Sequence, residues 1–111
     1  MAGRKRSKET KLLRALSNPL RRQILRRMRD GDTLSPLQLA EEFDLPVSNV
    51  AYHVRVLADS GAVKLVRVKP VRGALKHFYR SCLEPPWARQ IIDLEPWDGS
   101  RSGEIPDGPG T

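Results

Sequence analysis

Apolar residues recur at helical spacing in two runs, on either side of a short polar break at residues 44–46. In the first run Leu37, Ala40 and Phe43, with Leu39 nearby, predict the packed side of one helix. Two amphipathic helices separated by about three residues are typical of a helix-turn-helix. The pattern therefore predicts that motif between residues 35 and 61.

The second run has the spacing of a longer helix with one buried stripe. Val50, Val54 and Leu57 follow the i, i+4, i+7 pattern. We expect this helix to begin at residue 46 or 47 and to end at Ser60, where Gly61 supplies a left-handed cap.

Cap residues fix where the first helix of the pair begins and ends. Ser35 and Gln38 have the spacing of a capping box, and Pro36 suits the first helical position. Pro46 disfavours helix at the residue before it, so the chain is expected to break there.

Two helices are predicted before this pair. A short one is expected over residues 9–16, with Leu12, Leu13 and Leu16 on one side. Asn18 followed by proline is a cap and first-turn signal for a helix over residues 19–29, which Gly31 would end. The apolar stripe of this second helix is Leu20, Ile24, Leu25 and Met28.

After Gly61 the pattern changes to the alternation of β-strands. Residues 62–68 and 75–80 alternate apolar and charged positions around a Pro-Val-Arg-Gly-Ala break, which predicts a β-hairpin. Gly73 is expected to have a positive φ in the loop. Lys69, Arg72 and Lys76 are expected at or near the tip, where they would either contact a nucleic-acid backbone or keep a sheet edge soluble.

Four helices followed by a hairpin predict a mainly α fold with a small β-hairpin, the order of a winged helix-turn-helix. Its charge is uneven: residues 1–81 hold 18 basic and 7 acidic side chains, whereas residues 82–111 hold 2 and 6. The basic part is the expected binder of a polyanion.

The outward side of the second helix of the pair offers candidate contacts with DNA. Short polar, small, aromatic and cationic side chains of this kind can contact base edges or phosphates in a major groove. The alternative is a merely solvated face. The residues are Ser48, Asn49, Ala51, Tyr52 and Arg55.

The few candidate catalytic and metal-binding residues do not form a site in sequence. Cys82 is the one cysteine, which excludes an internal disulfide, and His53 and His77 alone would make an incomplete metal site. Glu41 and Glu42 are adjacent, so they diverge on a helix and cannot act as an acid/base pair. We expect no enzymatic activity, no cofactor and no metal.

The ends of the chain are expected to be less ordered than the domain at residues 9–81. Residues 1–8 are predicted as a flexible basic arm and residues 95–111 as a disordered acidic tail, with residues 82–94 forming a C-terminal helix. No segment is apolar enough to span a bilayer and no signal-peptide pattern opens the chain. We therefore expect a soluble cytoplasmic protein.

Three segments in order resemble the ArsR-type winged helix family of bacterial transcriptional regulators. They are ALSNPLRRQILRRM at residues 15–28, SPLQLAEEFDLPVSNVAYHVRVLADSGAVKLVRV from residue 35, and VRGALKHFYR from residue 71. The YHVRVLADSG helix and VRGA wing are similar to those of actinobacterial members. The resemblance covers about residues 10–81.

This resemblance implies a homodimer that binds a partly palindromic double-stranded DNA. We expect such a regulator to be a repressor, with an unknown effector. The family builds its dimer from the first and last helices. The residues implied here are Leu12, Leu13, Leu16, Trp87, Ile91 and Leu94, together with Ile92. Trp87, Ile91 and Leu94 independently have the spacing of one helical side, although that side could instead fold back on its own domain.

The chain departs from metal-sensing members of that family. These carry paired cysteines in the helix before the turn, or histidine and carboxylate clusters on the last helix. Here the helix before the turn reads LQLAEEF, and Glu84 and Asp93 have no histidine near them in sequence. Two functions remain open: a sequence-specific DNA-binding regulator, or a winged-helix interaction module that binds a protein or structured RNA.

Overall fold

The computed structural model describes the backbone of residues 2–94 and the side chains of residues 8–94. Within that range, the helices and one antiparallel hairpin follow the predicted order. The elements are α1 Ala2–Ala15, α2 Pro19–Arg27, α3 Pro36–Phe43, α4 Val47–Ser60, β1 Val63–Val71, β2 Ala74–Ser81 and α5 Pro86–Leu94. The predicted winged helix-turn-helix fold is confirmed, while the tail predicted for residues 95–111 lies outside the described residues.

One hydrophobic core holds the helices together. The predicted stripe of α4 is its centre, because Val50 and Leu57 are 0% exposed and Val54 is 1% exposed. Leucine and isoleucine side chains of the other helices pack around this stripe, and burying each one contributes about 1.5–3 kcal/mol. They include Leu12, Leu16, Ile24, Leu25, Leu39 and Ile92.

Side-chain caps begin α2 and α3 as predicted. Asn18 Oδ1 accepts hydrogen bonds from the backbone N–H of Leu20 at 2.8 Å and of Arg21 at 3.1 Å. The capping box is complete, since Gln38 N–H donates to Ser35 Oγ at 3.2 Å and Ser35 N–H donates to Gln38 Oε1 at 2.9 Å. These bonds satisfy first-turn donors that have no partner inside a helix.

Two helix bounds differ from the prediction. α1 begins at Ala2 rather than residue 9, so the backbone of residues 2–8 is helical. Lysine and arginine are good helix formers, and no proline interrupts that stretch. α2 ends at Arg27 with Met28 as its C-cap, and Gly31 takes its positive φ of 89° after the helix rather than ending it.

The packed side of α3 also differs. Leu39 is 0% exposed and Ala40 is 4% exposed, whereas Leu37 is 44% exposed and Phe43 is half-buried. Residues two apart lie on opposite sides of a helix, so once Leu39 enters the core Leu37 must point away from it. Leu37 was wrongly predicted as a core residue.

The hairpin is longer and its turn tighter than predicted. Strands β1 and β2 pair as far as Val71 and Ala74, which leaves only Arg72 and Gly73 between them. Both turn residues have a positive φ, 51° and 81°, as the two-residue turn favoured in hairpins requires. The prediction for Gly73 is confirmed, and the predicted five-residue break is wrong because the turn uses two residues.

The base of the hairpin is anchored to the helical domain. Leu34, in the connection between α2 and α3, exchanges two backbone hydrogen bonds of 2.9 Å with Tyr79 of β2. Past the end of β2, Cys82 N–H donates to the carbonyl of Ala62 at 2.9 Å. The hairpin is therefore fixed in position beside α3 and α4.

Helix α5 covers the far end of the core. Ala88 is 0% exposed and Ile92 is 3% exposed, and the buried guanidinium of Arg26 in α2 donates to the backbone carbonyl of Ile92. No helix among residues 2–94 is long and apolar enough to cross a membrane.

Candidate nucleic-acid interface

The side of α4 that faces away from the core presents a row of polar and aromatic side chains. With Val50, Val54 and Leu57 buried, helical geometry places Ser48, Tyr52 and Arg55 outward, and all three are exposed. Tyr52 is 57% exposed, which is high for a large aromatic residue. We call these three residues the outer row of α4.

Asn49 and Ala51 lie on either side of the outer row. Asn49 is exposed, whereas Ala51 is half-buried and lines a groove against the hairpin. The five α4 residues predicted to contact DNA thus lie on the outward half of one helix, with Ala51 at its edge.

Two lysines of the hairpin face each other. Lys69 of β1 and Lys76 of β2 are direct cross-strand partners, and no carboxylate among residues 8–94 forms an ion pair with either. Like charges directly opposite on a sheet are destabilising. An anion placed between the two ammonium groups would relieve that repulsion.

The hairpin tip carries a cation in an unusual backbone conformation. Arg72 is exposed and has a φ of 51°, a left-handed conformation that costs an ordinary residue about 1–2 kcal/mol. Asparagine or glycine would occupy this turn position at lower cost. The strain points to a role for the guanidinium at the tip rather than to a contribution to stability.

An open groove of about 440 Å³ lies between the hairpin and the first turns of α3 and α4. Its exposed apolar side chains include Leu37, Val47 and Leu75, which are 44%, 46% and 63% exposed. Arg55 and Lys76 also line it. We call it the wing groove.

On the other side of α4, Arg21 of α2 holds His53. Arg21 Nη1 donates to His53 Nδ1 at 3.0 Å, and its Nε donates to the carbonyl of Ala15 at 2.8 Å. Burial, and secondly the Arg21 charge, lower the pKa of His53 below its usual value. His53 is therefore a hydrogen-bonded packing residue, and its neutral ring accepts from Arg21.

Comparison with known proteins gives consistent matches. Residues 16–66 match the family described as "Helix-turn-helix domain". The structure resembles reduced HlyU from Vibrio cholerae N16961 at 26% identity with a TM-score of 0.61, covering 84% of this chain and 90% of that one. It also resembles the transcriptional repressor PagR of Bacillus anthracis at 22% identity with a TM-score of 0.60, covering 79% and 92%. A search of curated protein sequences gives no match.

The match over residues 16–66 and these structures make the chain similar to winged helix-turn-helix regulators, as its resemblance to the ArsR type predicts. A third match, to the transcriptional regulator HlyU from Vibrio vulnificus CMCP6, has 24% identity and a TM-score of 0.57 over 83% of this chain and 88% of that one. The fold of the chain is that of helix-turn-helix transcriptional regulators, which are DNA-binding proteins and not enzymes.

Potential metal ligands are dispersed over residues 8–94. Within the described residues, no three of the chain's histidine, cysteine, aspartate and glutamate side chains come together as a metal site. Glu42 instead forms a surface ion pair with Arg27 at 2.7 Å, and Asp32 contacts the same guanidinium at 2.6 Å. These neighbours raise the pKa of Arg27.

The lone cysteine of the chain is a partly buried residue just past β2. Cys82 Sγ lies 3.2 Å from the carbonyl oxygen of Gly61 at the end of α4. Burial raises the pKa of the Cys82 thiol, which favours the uncharged form.

The structure separates the residues predicted for dimerisation. Leu12 is 7% exposed and Leu16 is 3% exposed, so both pack in the chain's own core, and their role in a dimer stays a prediction. Leu13 points outward at 55% exposure, because the core takes the other side of α1. Helix α5 does pack against its own domain, and the two residues that it buries there are Ala88 and Ile92.

The spacing predicted for α5 leaves a partly apolar side in solvent. Ile91 is 36% exposed and Leu94 is 75% exposed, while Trp87 is half-buried against the core. These three residues and Leu13 remain available for a partner.

The wing groove brings three of the predicted DNA-binding residues together: Ala51, Arg55 and Lys76. Arg72 stays at the tip, and Lys69 joins the set through its pairing with Lys76. The sequence prediction missed the apolar lining of the groove. The available signal was that Val47 and Leu75 are apolar residues outside any predicted buried stripe.

Proposed function

We propose that this protein is a homodimeric, sequence-specific repressor that reads double-stranded DNA with α4 and holds the DNA backbone with its hairpin. The observation that supports this most directly is the outer row of α4, Ser48, Tyr52 and Arg55, exposed beside a hairpin whose facing lysines form no ion pair with a carboxylate of residues 8–94. Such a protein would act in the cytoplasm, where bacterial DNA lies.

The two parts of the interface have different tasks in this proposal. Arg55 and Asn49 are of the residue types that recognise guanine and adenine edges in a major groove through paired hydrogen bonds. Lys69, Arg72 and Lys76 would contact phosphates, which position a protein on the duplex without reading its sequence. Tyr52, Ser48 and Ala51 would pack against the bases or the backbone next to them.

The apolar residues left in solvent on the first and last helices support the proposed dimer. Leu13, Ile91 and Leu94 are exposed, and a partner subunit would remove that apolar area from water. Two subunits related by a twofold axis would bind half-sites on one side of the duplex, and repression would follow from excluding polymerase there.

Selection of bound sequences from random duplex DNA tests this function. At about 150 mM salt much of the nonspecific attraction is screened. We expect enrichment of an inverted repeat with half-sites about one helical turn apart. The matched control is the double variant Asn49→Ala and Arg55→Ala, which keeps the hairpin cations and is expected to lose the enrichment.

A failed selection would have a clear meaning. If wild type enriches no sequence and its binding only fades as salt rises, sequence-specific regulation is wrong. The exposed apolar wing groove would then favour the second candidate, an interaction module that binds a protein segment.

Sedimentation tests the dimer independently of DNA. Wild type is expected to sediment as a dimer, and Leu94→Lys to shift it towards the monomer without loss of folding, because Leu94 is 75% exposed. Leu75→Lys on the hairpin is the control and should leave the dimer unchanged. A monomeric wild type would overturn this part of the proposal.

A further inference from the structure

A second groove lies along α4 on the side opposite the hairpin, between α4 and α1. It is about 220 Å³ and is lined by Tyr52, Val56, Asp59 and three basic residues. The basic residues are Lys11, Arg14 and Arg21. We call it the α1 groove.

The half-buried charge of Arg21 has only neutral partners. Its guanidinium donates to His53 Nδ1 at 3.0 Å and to the carbonyls of Ala15 at 2.8 Å and Arg14 at 3.4 Å. Within the described part of the chain, no carboxylate forms an ion pair with it. Charges withdrawn from water are normally paired, so this fixed cation favours an anion from outside the chain.

Lys11 and Arg14 add two further cations at the same place. They are three residues apart on α1, so their side chains lie on one side of the helix, and both are exposed. Neither forms an ion pair with a carboxylate of residues 8–94. Asp59 is the single acidic residue of the lining, so the groove has a clear positive excess.

The position of the groove indicates which anion it would meet. Tyr52 belongs both to the outer row of α4 and to the lining of the α1 groove. A duplex whose bases lie against the outer row therefore has its sugar-phosphate backbone beside the groove, on the side away from the hairpin.

We propose that Lys11, Arg14 and Arg21 bind a backbone phosphate of the DNA that α4 reads, so that α4 is flanked by phosphate contacts on both sides. This inference rests on the proposed function, since it needs a duplex docked on α4. Arg21 supplies a guanidinium fixed in advance, and Lys11 and Arg14 supply flexible charges at the rim.

A phosphate bound in the α1 groove would leave the proposed dimer surface free. Leu13 is two residues from Lys11 and therefore on the opposite side of α1. A partner that covers Leu13 and a phosphate that contacts Lys11 can be bound at the same time.

The test compares two variants that remove the same amount of charge. Lys11→Ala with Arg14→Ala changes the groove, and Lys64→Ala with Arg89→Ala changes exposed cations elsewhere. Arg21 is left intact because its bonds join α1, α2 and α4. All four mutated residues are exposed, so both variants are expected to fold, which circular dichroism and thermal unfolding would verify.

The measurements are the salt dependence of binding to the selected operator and ethylation interference. Each phosphate contact contributes about 0.9 to the slope of log K against log salt. The groove variant is expected to lose about one unit of slope, to keep the base preference of wild type, and to become insensitive to ethylation of one phosphate per half-site. The control variant is expected to keep the wild-type slope and interference pattern.

The outcomes separate the two proposals. Equal slopes and identical interference patterns for the groove and control variants would overturn this inference while leaving the regulator proposal intact. Absence of operator binding by wild type would overturn the regulator proposal, and this inference with it. A changed base preference would mean that the groove reads bases rather than holding a phosphate, and would overturn the assignment.

Discussion

The two sides of α4 differ in how they present positive charge. On the hairpin side, the wing groove is lined by exposed apolar residues such as Leu37, Val47 and Leu75, together with the cations Arg55 and Lys76. On the α1 side, Arg21 is held half-buried by three hydrogen bonds inside the lining itself. One side can adapt to a duplex, and the other offers a charge already in place.

This difference suggests a division of work along one helix. A fixed cation sets where the backbone lies, because its position does not depend on the bound sequence. Flexible lysines and an arginine at a hairpin tip follow the backbone wherever it runs. The outer row of α4 between them would then meet base edges in a constant register.

The largest effect is expected from a change in the core beneath α4, because both sides of that helix depend on it. Leu57 is fully buried beneath α4, so Leu57→Ala should lower the free energy of unfolding by about 2–5 kcal/mol through lost burial and a residual cavity. Urea denaturation measures this. The control Leu75→Ala removes the same atoms from a residue that is 63% exposed and should stay within about 0.5 kcal/mol of wild type. Similar losses for both would mean that α4 does not rest on this core.

The next largest effect distinguishes base recognition from phosphate binding on the hairpin side of α4. Arg55→Ala should relax base preference at one position of each half-site by about 1–3 kcal/mol. Arg72→Ala is matched in chemistry and lies at the tip, so it should weaken all sequences alike and lower the salt slope by about one unit. Competition binding with operator and scrambled duplexes distinguishes the two. Equal losses on both duplexes for Arg55→Ala would sink its assignment to a major groove.

The sequence predicted most of the fold because its signals are local. The capping box of Ser35 with Gln38, the stripe of Val50, Val54 and Leu57, and the positive φ of Gly73 each depend on neighbours in the chain, and the structure confirms them. The element order followed from these signals.

The features that could not be predicted from the sequence depend on contacts between distant segments. Periodicity places Leu12 and Leu13 together, but only the packing of α1 against α4 decides that Leu12 is buried and Leu13 exposed. The pairing of Lys69 with Lys76 needed the strand register, which a two-residue turn fixes. The bond from Arg21 to His53 joins residues 32 positions apart, and no local pattern encodes it.

A smaller effect is expected from removing the N-cap of α3, the helix that forms one wall of the wing groove. Ser35→Ala removes the N-cap of α3 and should cost about 0.5–2 kcal/mol in the free energy of unfolding. Ser48→Ala is the control, because Ser48 is exposed on α4 and the N-cap of that helix is Pro46 without a side-chain bond. Because the α1 groove does not use α3, neither variant should change the part of the salt slope assigned to Lys11 and Arg14. Equal stability of the two variants would show that the capping box contributes nothing.

The smallest effect is expected from lowering the pH, which should change the free energy of unfolding through the α1 side of α4. His53 contacts Arg21 on the α1 side, and His77 lines the wing groove. The folded protein lowers the pKa of His53, so the unfolded chain binds a proton first as pH falls. The free energy of unfolding should therefore decrease as pH falls through about 6.5 and level off once the folded protein is also protonated.

Urea denaturation at pH values between about 5.5 and 7.5 measures this dependence. His53→Gln keeps an acceptor for Arg21 but cannot titrate, so it should flatten the curve relative to wild type. The result that would contradict this prediction is an equal pH dependence in wild type and His53→Gln. The contact between Arg21 and His53 would then not be the pH-sensitive link between α2 and α4.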